Sequence, residues 1–129
     1  MLVKCSKSFR HQTTEGNIYL VIEILINIIQ KRLSYRIIDN EGSPVIYESN
    51  DFEVFSRNLD GYCLTVEIDY GVRITHKLIL DSKLNVGHID GFWGIYFNSA
   101  NNEGKDLLEN VIKDLSYREK IPAPALERD

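Results

Sequence analysis

A chain of 129 residues, 43% hydrophobic and 26% charged, is sized for one domain whose core needs neither disulfides nor a metal. Its formal net charge of −4 argues against direct nucleic-acid binding, which draws on a net basic face. The two cysteines, Cys5 and Cys63, show no CxxC or CxH spacing, and the start MLVKCSKSFRHQ lacks the apolar stretch of a signal peptide, so a cytosolic protein is expected.

Leu2–Phe9 reads as a short first strand, and the polar, Gly16-containing segment after it as a loop. Ile18–Ile29 (IYLVIEILINII) is the longest apolar run. It is too short for a membrane span, which takes about 20 apolar residues, and it carries Glu23. It fits two periods. As a strand, Ile18, Leu20, Ile22, Ile24, Ile26 and Ile28 form one apolar face. As a helix, Glu23, Asn27, Gln30, Lys31 and Ser34 share a polar stripe. The β-branched isoleucines favour the strand.

Ser34–Asp39 and Pro44–Glu48 flank Asn40-Glu41-Gly42-Ser43, which predicts a hairpin. Ser49-Asn50-Asp51 offers caps for a short middle helix over Phe52–Leu59, closed by Asp60-Gly61. Tyr62–Tyr70 and Val72–Leu80 alternate with period 2 around Gly71, predicting an antiparallel sheet with one wet face. In the first of these strands Tyr62, Leu64, Val66, Ile68 and Tyr70 form the apolar phase, and Cys63, Thr65, Glu67 and Asp69 the polar one.

Phe92–Phe97 (FWGIYF) reads as an aromatic strand. Over Glu103–Glu119, Leu107, Leu108, Val111, Ile112 and Leu115 recur at helical spacing. The fold class is therefore α+β: a single domain over residues 1–121, mainly antiparallel sheet, with a short middle helix and a C-terminal amphipathic helix. Pro122 and Pro124 mark residues 122–129 as a flexible tail.

Charge is unevenly spread. Residues 1–36 carry Lys4, Lys7, Arg10, Lys31, Arg32 and Arg36 against Glu15 and Glu23. Residues 39–69 carry Asp39, Glu41, Glu48, Asp51, Glu53, Asp60, Glu67 and Asp69 against Arg57 alone. An acidic middle third can steer a basic partner, and it can equally be a solvated sheet face. Trp93, with Phe92 and Tyr96, lies close to Asp90, and Tyr62 and Tyr70 lie beside Asp60 and Asp69. Aromatics next to acids have the composition of an interface, although Trp93 fits a core position equally well. The candidate partner-binding residues are Asp51, Glu53, Asp60, Tyr62, Glu67, Asp69, Tyr70, Asp90, Trp93 and Tyr96.

Signals for chemistry are sparse. There is no zinc spacing, no GxSxG elbow and no phosphate-binding glycine loop, so no catalytic, cofactor or metal residue is assigned. His76 falls at an apolar phase and reads as a core residue, His11 as a solvated one, and His88 pairs with Asp90 in His-Ile-Asp. A small hydrolase or ligand-binding site near His76, His88 and Asp90 is the alternative that these residues leave open.

VIEILI at Val21–Ile26, YRIIDNEGSPVIYESNDF at Tyr35–Phe52 and FWGIYF at Phe92–Phe97 sit in a strand–turn–strand–short-helix succession. In this respect the chain resembles bacterial immunity proteins of contact-dependent growth inhibition and other polymorphic toxin systems. The resemblance transfers no individual residue. It implies a non-catalytic cytoplasmic inhibitor without a cofactor. Its partner would be a basic cognate toxin, often a nuclease, whose active or substrate-binding face is occluded by acidic, aromatic-containing surface. An adaptor for another basic partner would share these features, and self-association stays open.

Overall fold

The computed structural model describes residues 1–67, 71–85, 91–98 and 102–127. The chain is α+β: a seven-stranded antiparallel sheet with helices on one face. The strands are β1 (Leu2–Cys5), β2 (Ile18–Asn27), β3 (Arg32–Ile38), β4 (Pro44–Glu48), β5 (Phe52–Ser56), β6 (Tyr62–Glu67) and β7 (Gly71–His76). The helices are α1 (Lys77–Leu80), α2 (Gly91–Asn98) and α3 (Glu103–Glu119).

The Ile-rich run is the central strand, β2. β3 pairs along one side of it. On its other side β1 pairs with Ile18–Leu20 and β7 with Glu23–Ile26. β5 lies outside β1 and β6 outside β7, so two short strands follow one another on each of the two outer rows.

The register between β2 and β3 shifts between Val21 and Glu23, where Val21 opposes Ile37 and Glu23 opposes Arg36. One extra residue on β2 makes a bulge, so strict alternation along this strand fails. Leu20 and Ile22 pack under the helices with Phe92, Trp93, Tyr96, Leu108, Val111, Ile112 and Leu115. Val21 and Ile24 pack on the opposite face with Val3, Tyr19, Tyr35 and Ile37.

The hairpin β3–β4 forms around Gly42, and α3 spans the residues that its apolar spacing predicts. Three predicted elements differ. Phe52–Leu59 is not a helix: a 3-10 turn over Ser49–Asp51 leads into β5, because pairing with β1 and burial of Phe52 override the local cap residues. Phe92–Phe97 is helical rather than extended. An element apolar on all sides suits burial, and Phe92, Trp93, Gly94 and Tyr96 are all buried in α2. Val72–Leu80 divides into β7 and α1. The break falls at His76, whose imidazole caps the helix by accepting from the Leu78 amide at 3.0 Å. β6 extends through Glu67, and the predicted strand residues 68–70 lie outside the described residues.

The C-terminal segment, expected to be loose, runs back to the β3–β4 turn. The Glu127 amide donates to the Gly42 carbonyl at 3.0 Å, and Leu126 and Ile121 pack against the helix-side core. A Cβ on Gly42 would lie 2.6 Å from the Glu127 nitrogen and 2.8 Å from the Ala125 oxygen, so this approach requires glycine.

Candidate functional site

The acidic candidates separate from the aromatic ones. Asp51 ends the 3-10 turn before β5, where its carbonyl accepts from the Ser6 amide at 2.8 Å. Glu53 is exposed on β5 opposite Lys4. Asp60 is exposed in the β5–β6 connection, its amide bonded to Asn58 Oδ1 at 3.0 Å. The three follow the outer border of the sheet. Between them Val54, Phe55 and Leu59 are exposed apolar side chains, Phe55 at 60%. Glu67 closes β6, while Asp69, Tyr70 and Asp90 lie outside the described residues.

The aromatic candidates are core. Trp93 is only 6% exposed and Tyr96 8%, and their rings pack edge to face at 5.6 Å between centroids. Both therefore leave the set of contact residues: α2 turns them into the helix-side core and leaves Phe97 exposed. Tyr62 is also taken up internally. Its hydroxyl donates to the Val21 carbonyl and accepts from the Met1 ammonium at 3.0 Å. Burial, with Glu119 nearby, pushes the Tyr62 hydroxyl pKa well above its ordinary value. Glu119 itself takes an ion pair from the Met1 ammonium at 3.0 Å and a hydrogen bond from Ser56 at 2.9 Å.

His76 is buried, as its apolar phase predicts, and both ring nitrogens are engaged. Nδ1 accepts from the Leu78 amide, so Nε2 carries the proton that faces Asp114 Oδ2 at 2.7 Å. Asp114 also takes Arg118 Nε at 2.9 Å. Burial pushes the Asp114 carboxyl up, but the bonds from His76 and Arg118 outweigh it and hold the carboxyl below its ordinary value. This chain of contacts ties β7 to α3, which is structural work. His11 is solvated and pairs with Glu41 at 2.6 Å. His88 lies outside the described residues, as does Asp90. Among the described residues no group of three or more His, Cys, Asp or Glu side chains could hold a metal ion.

Two features went unread in the sequence. The first is a buried charge cluster. The bulge in β2 turns Glu23, which is 0% exposed, towards Arg36 Nε at 3.0 Å and Arg73 Nη1 at 3.4 Å. Arg36 also donates to the Pro44 carbonyl at 3.0 Å, and its guanidinium lies over the Trp93 ring at 4.1 Å from the centroid. Burial lowers the Arg36 pKa, and Glu23 partly restores it. The sequence signal was present: each of the three charges sits alone in an apolar strand run, as VIEIL, YRII and VRIT. A lone charge in such a run is either at an edge or paired in the interior. Every oxygen of this carboxylate faces a cation, so the cluster locks β2, β3 and β7 together.

The second feature is an apolar sheet face. Tyr47, Tyr35, Ile24, Ile74 and Leu64 oppose one another across β4, β3, β2, β7 and β6, and Leu33, Ile26, Val72 and Val66 make the adjacent row. The buried cluster on this face is built from strand residues and Met1 among the described residues, with no helix residue in it. At its β6 end Leu64 is 62% exposed and Val66 72%. The alternation in β6 thus runs opposite to the usual sense. The apolar phase meets solvent, and the polar phase turns towards the helix side, where the Thr65 hydroxyl is buried.

Comparison of the chain with protein-family profiles, with curated proteins and with solved structures gave no match. Among the described residues no helix is long and apolar enough to cross a membrane.

Proposed function

We propose that this chain is a non-catalytic protein-binding domain of the immunity type, which neutralises a basic bacterial toxin domain in the cytoplasm by covering its active or substrate-binding face. One observation carries the reading. The outer border formed by β5 and the following connection presents Asp51, Glu53 and Asp60 around exposed Val54, Phe55 and Leu59. Acids set around apolar anchors suit a basic partner: the charges speed encounter, and the buried apolar side chains slow release. A nuclease is the simplest such partner, because its phosphate-binding face is basic and carboxylates can stand in for phosphates.

The test is capture from the native host with the tagged full chain, followed by stopped-flow kinetics with the captured toxin domain. Glu53→Lys with Asp60→Lys should slow association by about tenfold or more at low salt and flatten its salt dependence. Phe55→Ala should act on dissociation instead. A captured partner whose rate constants are untouched by all three changes would remove this border from consideration, and capture of no toxin would remove the reading itself.

A further inference from the structure

The bulge in β2 brings polar side chains of four strands together on the helix side of the sheet. Arg36, Glu23, Thr75 and Cys63 oppose one another across β3, β2, β7 and β6, and Ser34, Leu25, Arg73 and Thr65 make the next row. Arg36, Glu23 and Thr75 are buried, and Arg36 lies over the ring of Trp93 from α2. Glu23 Oε1, the hydroxyls of Thr75 and Thr65 and the Trp93 indole Nε1 have essentially no exposure and no hydrogen-bond partner among the described residues. Glu23 Oε1 stands 3.4 Å from Arg73 Nη1, an ion pair without a hydrogen bond. A buried N–H or hydroxyl without a partner costs a protein the hydration it gave up, so each is uncommon alone. A group of them on neighbouring strands, which lie about 4.8 Å apart, points to a shared occupant.

We propose that this cluster is an internal hydration site, with water held between Glu23 Oε1, the Thr65 and Thr75 hydroxyls and the Trp93 indole N–H. A buried water makes about three hydrogen bonds, so these groups together hold one or two molecules. The inference does not depend on the toxin reading, since the acidic border lies on β5 and its connection.

The chemistry of the groups selects this occupant. An indole N–H can only donate, so whatever meets Trp93 must accept. A carboxylate can only accept, so whatever meets Glu23 Oε1 must donate, and the threonine hydroxyls take either role. An anion would be repelled by Glu23, and a cation by Arg36 and Arg73, with little solvent to screen either charge. What remains is neutral, both donor and acceptor, and small enough for a place whose polar atoms have almost no accessible surface. Water meets all of these conditions. It also takes up the lone pairs of Glu23 Oε1 that the ion pair with Arg73 leaves without a hydrogen bond.

Trp93 is the chain's one tryptophan, so its indole N–H gives a single resonance. In nuclear Overhauser spectra of the full chain, that proton should show a cross-peak to water with the sign of a long-lived bound molecule. Thr75→Val keeps the side-chain shape and removes one leg of the site. With water in place it should lower the urea midpoint by roughly 0.5 M and weaken the water cross-peak at Trp93. With a bare hydroxyl, the same change would delete a buried unsatisfied group and raise the midpoint. Thr65→Val puts the same question from β6 and carries the test if the Thr75 variant does not fold. A midpoint that rises or stays level with valine would overturn the inference. So would the absence of a water cross-peak at Trp93 in the parent chain, even beside a lowered midpoint, because the hydroxyls would then have a protein partner.

Discussion

Replacing Glu23 by glutamine removes one negative charge at nearly constant shape and leaves two guanidinium groups facing an amide in a largely buried site. Glu23 is 0% exposed and holds Arg36 at 3.0 Å and Arg73 at 3.4 Å. A charge pair at about 4 Å is worth about 4 kcal/mol at an effective permittivity of about 20, and removing one member of a buried pair costs about 3–5 kcal/mol. Two contacts soften the loss. Arg36 keeps the Pro44 carbonyl and the face of Trp93, the latter worth about 1–2 kcal/mol when desolvated. The Arg73 side chain is 15% exposed and can relax towards water.

The expected loss for Glu23→Gln is therefore about 3 kcal/mol, a large share of the roughly 5–15 kcal/mol that stabilises a domain. Urea denaturation followed by far-ultraviolet circular dichroism reads it directly. With a slope of about 1–3 kcal/mol per molar, the midpoint should fall by roughly 1–3 M at an unchanged slope. The paired change Glu23→Leu with Arg36→Met should recover most of the loss, because apolar side chains of similar volume replace buried ions at little cost. A midpoint shift for Glu23→Gln below about 0.5 M, corresponding to about 1 kcal/mol or less, would refute the reasoning.

Gly42→Ala and Gly16→Ala form a matched pair, since both glycines have positive φ (+77° and +87°) but only Gly42 abuts backbone. The left-handed conformation costs either alanine about 1–2 kcal/mol. The Gly42 variant should lose about 1 kcal/mol more and become more sensitive to proteolysis beyond Ile121, whereas equal losses and equal cleavage would deny the C-terminal segment its dock. Asp114 tests the pH dependence. Its folded pKa lies below the ordinary 3.8, so its contribution is present above that value and is lost as pH falls through the folded pKa. Asp114→Asn should accordingly lower the urea midpoint at pH near 7 and converge with the parent chain in strong acid; a difference that persists unchanged in acid would assign the effect to packing.

Local chemistry made some elements legible. The turn residues Asn40–Ser43 fixed the β3–β4 hairpin, the apolar spacing of Leu108, Val111, Ile112 and Leu115 fixed α3, and the isoleucines of β2 pointed to a strand. Phe92–Phe97 and Phe52–Ser56 were not legible, because a run this short has too little period to separate strand from helix, and its partners decide its state. The first meets α3 and the sheet and is helical; the second meets β1 and is extended. Of the candidate contact residues, exposure at Glu53 and Asp60 followed from charge. Tyr96 was offered as a contact residue for its neighbours in sequence, and Trp93 on the same ground beside an equal core reading; α2 buries both. Leu64 and Val66 were passed over because an apolar phase is expected to face inward, and Phe55 because it lay within the predicted short helix.

That inversion and the buried charge cluster have one origin. Along β2 strict alternation would place Ile22, Ile24 and Ile26 together beneath the helices. Through the register Ile24–Ile74–Leu64 and Ile26–Val72–Val66, the apolar phases of β7 and β6 would follow them into the core. Glu23, Arg73 and Thr75 would then face solvent, as ordinary polar positions of an amphipathic sheet. The extra residue at Ile22 reverses the phase beyond it. Glu23 enters the helix side and needs Arg36 and Arg73 to offset its burial, while Ile24, Ile74 and Leu64 turn to the opposite face. The costly interior ion cluster and the apolar outer strand are thus two consequences of a single bulge. A sheet that gave up an apolar interior at this point gained an apolar exterior strand, on which Leu64 and Val66 meet solvent.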